Sequence, residues 1–240
     1  STFLEGSQND AIYSIDIARN SEVFVAGGTC SQDFPTSSGV LDQNYLGGST
    51  DGFVSRISAN GQFLLSSTFF GSDAYDQVYF VRIANSNKIF ICGQTKATGS
   101  TLVYNALYNI PNSGQFISNL SYDLTNLNWS TTFGTGNGKP NISITAFTAD
   151  ICNRVYLSGW GREWGGMDGN TWGSIEGTKN MEITNDAYQD STDGQDFYVM
   201  ILSEDAQTLE YASYFGELHY TGCTRSGGDH VDGGTSRFDR

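Results

Sequence analysis

The sequence contains little positive charge, little proline and no long apolar run. Its 240 residues include 12 lysines and arginines against 26 aspartates and glutamates, which gives a formal net charge of −14. This negative field would repel DNA and an anionic membrane surface. No stretch approaches the roughly 18 consecutive apolar residues that a membrane helix needs. We therefore expect no nucleic-acid partner and no direct membrane insertion.

Cysteine motifs for metal or redox chemistry are also missing. The chain has four cysteines, Cys30, Cys92, Cys152 and Cys223, and none forms the Cys-x-x-Cys pair typical of zinc ribbons and thioredoxin-like proteins. In an acidic, glycine-rich chain they allow one or two disulfides, in three full pairings. Buried free thiols are the alternative, and the sequence leaves both open.

Turn-forming residues are abundant instead. The chain has 29 glycines against three prolines, a balance that predicts many tight turns rather than a proline-rich linker. Its apolar residues lie in short segments that are rich in β-branched and aromatic side chains and are bounded by Gly, Asn, Asp and Ser. We find no segment with helical periodicity. The sequence therefore predicts an all-β protein.

A four-strand pattern occurs three times along the chain. The second strand of each repeat ends at Gly27, Gly93 or Gly159, so both steps are 66 residues (93 − 27 and 159 − 93). The fourth strands share the endings Thr-Phe-Phe-Gly, Thr-Thr-Phe-Gly and Ser-Tyr-Phe-Gly. Matched spacing together with matched endings indicates one structural unit repeated three times.

Each repeat predicts one four-stranded antiparallel sheet. Such a sheet cannot bury both faces alone, so neighbouring sheets must stack, and radially repeated four-stranded sheets are the blades of a β-propeller. We predict a single propeller domain, of which this chain is a part unless the blades assemble between chains. The predicted blades span about 5–71, 72–134 and 135–216, with partial blades at 1–4 and 217–240.

The third repeat carries an insertion at 160–177 that holds three of the four tryptophans. Irregular glycine-rich loops on a rigid scaffold often carry binding sites. Indole rings can stack on sugars, and carboxylates can accept hydrogen bonds from hydroxyl groups. We therefore predict a ligand-binding site here, the alternative being a small core in which the tryptophans bury one another. The predicted ligand residues are Trp160, Trp164, Trp172, Glu163 and Asp168.

Three aspartates near the end of the third repeat are a candidate calcium site. Asp190, Asp193 and Asp196 place hard oxygen ligands at close spacing beside a glycine that permits a turn. The alternating spacing and terminal glutamate of an EF-hand are missing. The alternative is that Asp193 belongs to a turn leading into the third strand, as Asp51 does in the first repeat.

Recognised catalytic constellations are missing from the sequence. The two histidines, His219 and His230, flank a loop, and no serine lies in a nucleophile elbow. Glu163 and Asp168 could act as paired carboxylates of a glycoside hydrolase or lyase, although nothing in the sequence defines their separation. We therefore expect a protein that is not an enzyme, with glycan cleavage as the less favoured alternative.

Several segments resemble bacterial β-propeller repeats known as SBBP repeats. The first two are Gly-Gly-Thr-Cys-Ser-Gln-Asp-Phe-Pro-Thr at 27–36 and Gly-Ser-Thr-Asp-Gly-Phe-Val-Ser-Arg-Ile at 48–57. Segments 157–161, 192–198 and 230–239 add to the likeness. Together they resemble large surface proteins of Bacteroidota that are exported by the type IX system and carry gliding-motility-associated C-terminal domains and PKD repeats. The second repeat lacks the Asp-Phe-Pro-Thr sequence.

This resemblance covers essentially the whole chain and implies a location more than an activity. It implies export across the outer membrane to the cell surface, through a signal peptide and a sorting domain outside this stretch. The expected role is a scaffold, adhesion or protein-interaction surface in a surface appendage. Expected partners are other domains or copies of the same protein, and cell-surface glycans if the module is lectin-like. Calcium is the one candidate cofactor.

Overall fold

The computed structural model describes residues 3–84, 87–161 and 177–216. Within these ranges the chain forms three four-stranded antiparallel sheets and no helix, so the all-β prediction is confirmed. Accordingly, no helix in the described ranges is long and apolar enough to cross a membrane. The first sheet contains β1 (Asp10–Ile17), β2 (Val23–Thr29), β3 (Asp51–Ile57) and β4 (Leu64–Phe70).

The other two sheets repeat this order. The second sheet contains β5 (Asp76–Ile83), β6 (Ile89–Thr95), β7 (Gln115–Leu120) and β8 (Leu127–Phe133). The third contains β9 (Ser143–Ala149), β10 (Val155–Trp160), β11 (Phe197–Leu202) and β12 (Leu209–Phe215). In each sheet, strands that are consecutive in sequence are hydrogen-bonded neighbours.

A β-bulge recurs in the first strand of each sheet, opposite the repeated glycine. In the second sheet the pairing passes from Val78 opposite Gly93 to Phe80 opposite Cys92, which leaves Tyr79 as the extra residue. A Cβ on Gly93 would overlap the carbonyl oxygen of Gln77 and would lie 3.0 Å from the Phe116 ring. Only glycine fits between the bulged strand and this buried ring. Corresponding shifts occur opposite Gly27 and Gly159.

The long connection between the second and third strands covers the edge of the fourth strand. In the first sheet, Ser37 donates its backbone N–H to the carbonyl of Ser67 at 3.0 Å. In the second, Tyr104 donates to Ser130 at 2.8 Å. The third sheet repeats the contact between Thr184 and Ala212 at 3.1 Å. These bonds satisfy backbone groups that an open edge strand would leave unpaired.

The sheets pack face to face through two apolar clusters. Between the first and second sheets, Phe24, Val54 and Phe70 pack with Val78 and Val81 of β5. The cluster between the second and third sheets contains aromatic and aliphatic residues from both, including Phe90, Trp129, Phe133, Phe147, Leu157 and Met200. The first strands of the second and third sheets, β5 and β9, therefore lie against the sheet that precedes them.

Side chains of β1 tie the first strands to each other. Ser14 Oγ accepts the backbone N–H of Val81 at 3.1 Å, and Asp16 Oδ2 accepts that of Ile83 at 2.9 Å. Arg82 continues the series, because its Nε donates to the carbonyl of Phe147 in β9 at 2.9 Å. The first strands of successive sheets are therefore neighbours.

Substitution of the repeated glycine tests this close approach. We expect Gly93→Ala to lower the free energy of unfolding by about 3 kcal/mol, because the new methyl group overlaps a backbone carbonyl. Gly61→Ala is the matched control, since Gly61 has a φ of 71° and no atom within 4 Å of a Cβ. Gly61→Ala should lower the free energy of unfolding by only about 1 kcal/mol, through backbone strain. Equal losses of unfolding free energy for the two variants, measured by urea unfolding, would contradict the close approach at Gly93.

Candidate interaction surfaces

Trp160 is the one predicted ligand residue of the insertion that the structure describes. It ends β10 and is half-buried, and its Nε1 is buried with no hydrogen-bond partner among the described residues. A buried indole N–H normally finds a partner, so this donor is an exception among the described side chains. The remaining predicted ligand residues, Trp164, Trp172, Glu163 and Asp168, lie outside the described ranges.

The three candidate calcium ligands lie in the connection that leads into β11. Asp190 is exposed, while Asp193 Oδ1 accepts the backbone N–H of Gln195 at 2.9 Å, as in a local turn. Asp196 is buried, which raises the pKa of its carboxyl, and its Oδ2 accepts a bond from Gln189. The described ranges contain no group of three or more His, Cys, Asp or Glu placed to hold a metal. Calcium binding stays a prediction.

Three of the four cysteines are free thiols. Cys92 is fully buried in the core of the second sheet, and burial raises the pKa of its thiol. Cys30 is half-buried and Cys152 is exposed. Of the two alternatives left open by the sequence, the buried free thiol describes Cys92 alone, since the free thiols of Cys30 and Cys152 are not buried. Cys223 lies outside the described ranges.

The first sheet presents an apolar face that other described residues leave uncovered. We call Ile12, Ile15 and Ile17 of β1 the open face, because their exposed fractions are 50%, 61% and 58%. The bulge pairing makes Val78 and Val81 of β5 the equivalents of Ile12 and Ile15. Both valines are 0% exposed because the first sheet covers them. The open face therefore has the chemistry of a sheet-packing surface that lacks its cover.

The contacts of β5 indicate what would fit the open face. In the second sheet the equivalent positions are covered by Phe24 of β2, Val54 of β3 and Phe70 of β4. The equivalent positions are thus covered by aromatic and β-branched side chains from three strands of one four-stranded sheet. Sequence reasoning missed this surface. The alignment of the repeats could have shown it, because it places Ile12 at the position that Val78 occupies in the second repeat.

A polar cluster at the turn end of the strands clamps the first sheet to the second. Arg56 binds both carboxylate oxygens of Glu22, with Nε 2.6 Å from Oε2 and Nη2 3.0 Å from Oε1. Tyr122, from the turn after β7, donates its hydroxyl to Glu22 Oε2 at 2.8 Å, and its ring lies under the Arg56 guanidinium at 4.5 Å. The Arg56 hydrogen bond, aided by Tyr122, lowers the pKa of Glu22 to about 2 against the opposing effect of burial.

Comparison of the chain with protein-family models and with curated proteins finds no match.

The Glu22 clamp predicts a pH-dependent loss of stability. The folded-state pKa of Glu22 lies below its ordinary value of 4.5, so the clamp stabilises the fold fully above about pH 4.5. Its contribution disappears as the pH falls toward 2. We expect Glu22→Gln to cost about 1–2 kcal/mol at pH 7 and much less at pH 3. Urea unfolding at both pH values measures the difference, and a constant cost would refute the clamp.

The open face predicts that substitution to alanine destabilises the fold by different amounts at two equivalent positions. Ile15→Ala should change the free energy of unfolding by less than about 0.5 kcal/mol, because the side chain is exposed. Val81→Ala should cost about 2 kcal/mol, since it leaves a cavity between two sheets. Chemical denaturation of both variants at low protein concentration compares them. A large cost for Ile15→Ala would mean that another surface covers the open face in solution.

Proposed function

We propose that this chain is a non-catalytic β-propeller module of a large secreted cell-surface protein, acting as a scaffold and as an adhesion or protein-interaction surface. The open face carries this proposal. It repeats, on the outside of the first sheet, the apolar positions that the second sheet uses to pack against its neighbour. A surface of this chemistry is suited to packing against a further sheet of the same kind.

A radial arrangement of blades is supported by the order of the contacts. The first strands of successive sheets are tied together, as by the bond from Val81 to Ser14. The fourth strands lie at the opposite side of each sheet, where the long connections cover their edges. First strands gathered at one side and covered edges at the other are typical of propeller blades.

The use of the described carboxylates supports a structural role. Asp10 accepts the backbone N–H of Gly6 at 2.7 Å, and Asp76 accepts that of Ser72 at 2.6 Å. Both aspartates begin a first strand, and each fastens the link from the preceding segment. These groups are used to hold the backbone between repeats.

The proposed partners are further sheets of this repeat, from other domains of the protein or from other copies. The net charge of −14 and the resemblance to exported surface proteins favour an extracellular, cell-surface location. A lectin-like, carbohydrate-binding propeller is the second candidate function. It is favoured by the unpartnered Nε1 of Trp160 at the base of a tryptophan-rich insertion.

Light scattering on wild type and Ile15→Asp tests the scaffold proposal. We expect the wild-type chain to self-associate as its concentration rises, because apolar sheet faces exclude water by pairing. A buried aspartate would abolish this association, while Gln62→Asp in an exposed turn should leave it unchanged. A monomeric wild type at all concentrations, or association that survives Ile15→Asp, would contradict the proposal.

A glycan array, with and without calcium, separates the alternatives. The scaffold proposal expects no selective binding. Selective binding that Trp164→Ala abolishes would make the module a lectin, and turnover that Glu163→Gln abolishes would make it an enzyme.

A further inference from the structure

Two fully buried carboxylates lie near each other where the first sheet packs against the second, a contact that we call the seam. Asp51 begins β3, Asp76 begins β5, and both are 0% exposed. The backbone N–H of Asp76 donates to the carbonyl of Thr50 at 2.9 Å, which places Asp76 directly beside the residue that precedes Asp51. The two negative charges therefore act on each other across the seam.

One oxygen of Asp51 has no hydrogen-bond partner. Its Oδ2 accepts the backbone N–H groups of Leu46 and of Gly47, the latter at 3.4 Å. Its Oδ1 is buried and unpartnered. A charged oxygen in this position would be neither solvated nor paired, whereas a protonated carboxyl carries no charge to solvate.

Asp76 is held through hydrogen bonds to one of its two carboxylate oxygens. Its Oδ2 accepts both the backbone N–H and the hydroxyl of Ser72, at 2.6 and 2.7 Å. It also packs beneath Gly71, where a Cβ would lie 2.6 Å from the carboxylate.

The seam between the second and third sheets has neither carboxylate. Asn141 takes the place of Asp76, because it packs beneath Gly134 in the same way and accepts the backbone N–H of Thr135 at 2.9 Å. Its Nδ2 donates to the carbonyl of Gly177 at 2.9 Å. Gly114 takes the place of Asp51. It precedes Gln115, which pairs with Gln94, just as Asp51 precedes Gly52, which pairs with Gly28. Both acidic groups are thus replaced together by neutral ones.

We propose that the buried Asp51 carboxyl, beside Asp76, keeps its proton up to near-neutral pH, which makes the seam between the first and second sheets a pH-sensitive contact. This inference is independent of the proposed function. The titratable and charged groups around the pair are Cys30, Asp42, Tyr45, Asp73, Tyr75 and, over the Tyr75 ring, Lys96.

The electrostatics of the pair agree with this geometry. Burial raises the pKa of Asp51 to about 7, against the lowering effect of the two amides, and the negative charges of Asp76 and Asp42 raise it further. Burial also raises the pKa of Asp76. Because the folded pKa of Asp51 exceeds its ordinary value of 3.8, folding retains a proton that the unfolded chain releases. Stability therefore falls as the pH rises toward and through 7.

Urea unfolding of wild type and Asp51→Asn between pH 5.5 and 8.5 tests whether Asp51 retains its proton. For wild type we expect the unfolding equilibrium constant to rise on the order of thirtyfold across this range. Asp51→Asn should remove most of that rise, because its amide is neutral at every pH. At pH 8.5 the variant should be more stable than wild type. Asp186→Asn, which removes one exposed charge elsewhere, should keep the wild-type slope.

Two results would overturn the proposal. Equal pH slopes in wild type and Asp51→Asn would show that Asp51 is ionised throughout. A rise in wild-type stability with millimolar calcium at pH 8.5, lost in Asp51→Asn, would show that a cation rather than a proton neutralises the pair. Should Asp51→Asn fail to fold, Asp76→Asn provides the same comparison, since asparagine already occupies the equivalent position at 141.

Discussion

The close approach of the first two strands at the repeated glycine is the constraint on which the fold depends. Gly93 leaves room for the bulge at Tyr79 on one side and for the Phe116 ring on the other. The bulge shifts the register of β5, so that Val78 and Val81 both face the preceding sheet. A side chain in place of the glycine would push the strands apart and turn this face away. Stacking of the sheets thus follows from a contact inside each sheet.

The two seams between the sheets differ in their electrostatics. The first seam contains the buried pair Asp51 and Asp76 at one end and the Glu22–Arg56 clamp at the other. The two elements respond to pH in opposite directions, because one carboxyl has a raised pKa and the other a lowered one. The second seam has an asparagine in place of the buried pair. The first sheet is therefore the unit whose attachment should vary most with pH.

The same first sheet also carries the open face, so both of its sides present apolar residues. Its β5-facing side packs through Phe24, Val54 and Phe70, while Ile15 on its other side is 61% exposed. A scaffold built from repeated sheets needs this two-sided property in every unit, because each sheet both covers and is covered.

Sequence alone determined the elements that depend on local pattern. Alternating β-branched and aromatic residues, turn residues and the 66-residue step were enough to predict three four-stranded antiparallel units, since strand formation and hairpin pairing act over short distances. Tertiary structure decided whatever depends on a neighbouring sheet. Ile15 and Val81 have equivalent places in the repeat, yet one is exposed and the other buried. Asp51 and Asp76 lie 25 positions apart in sequence (76 − 51) and become coupled only when the sheets stack, because burial and charge proximity are properties of the packed chain.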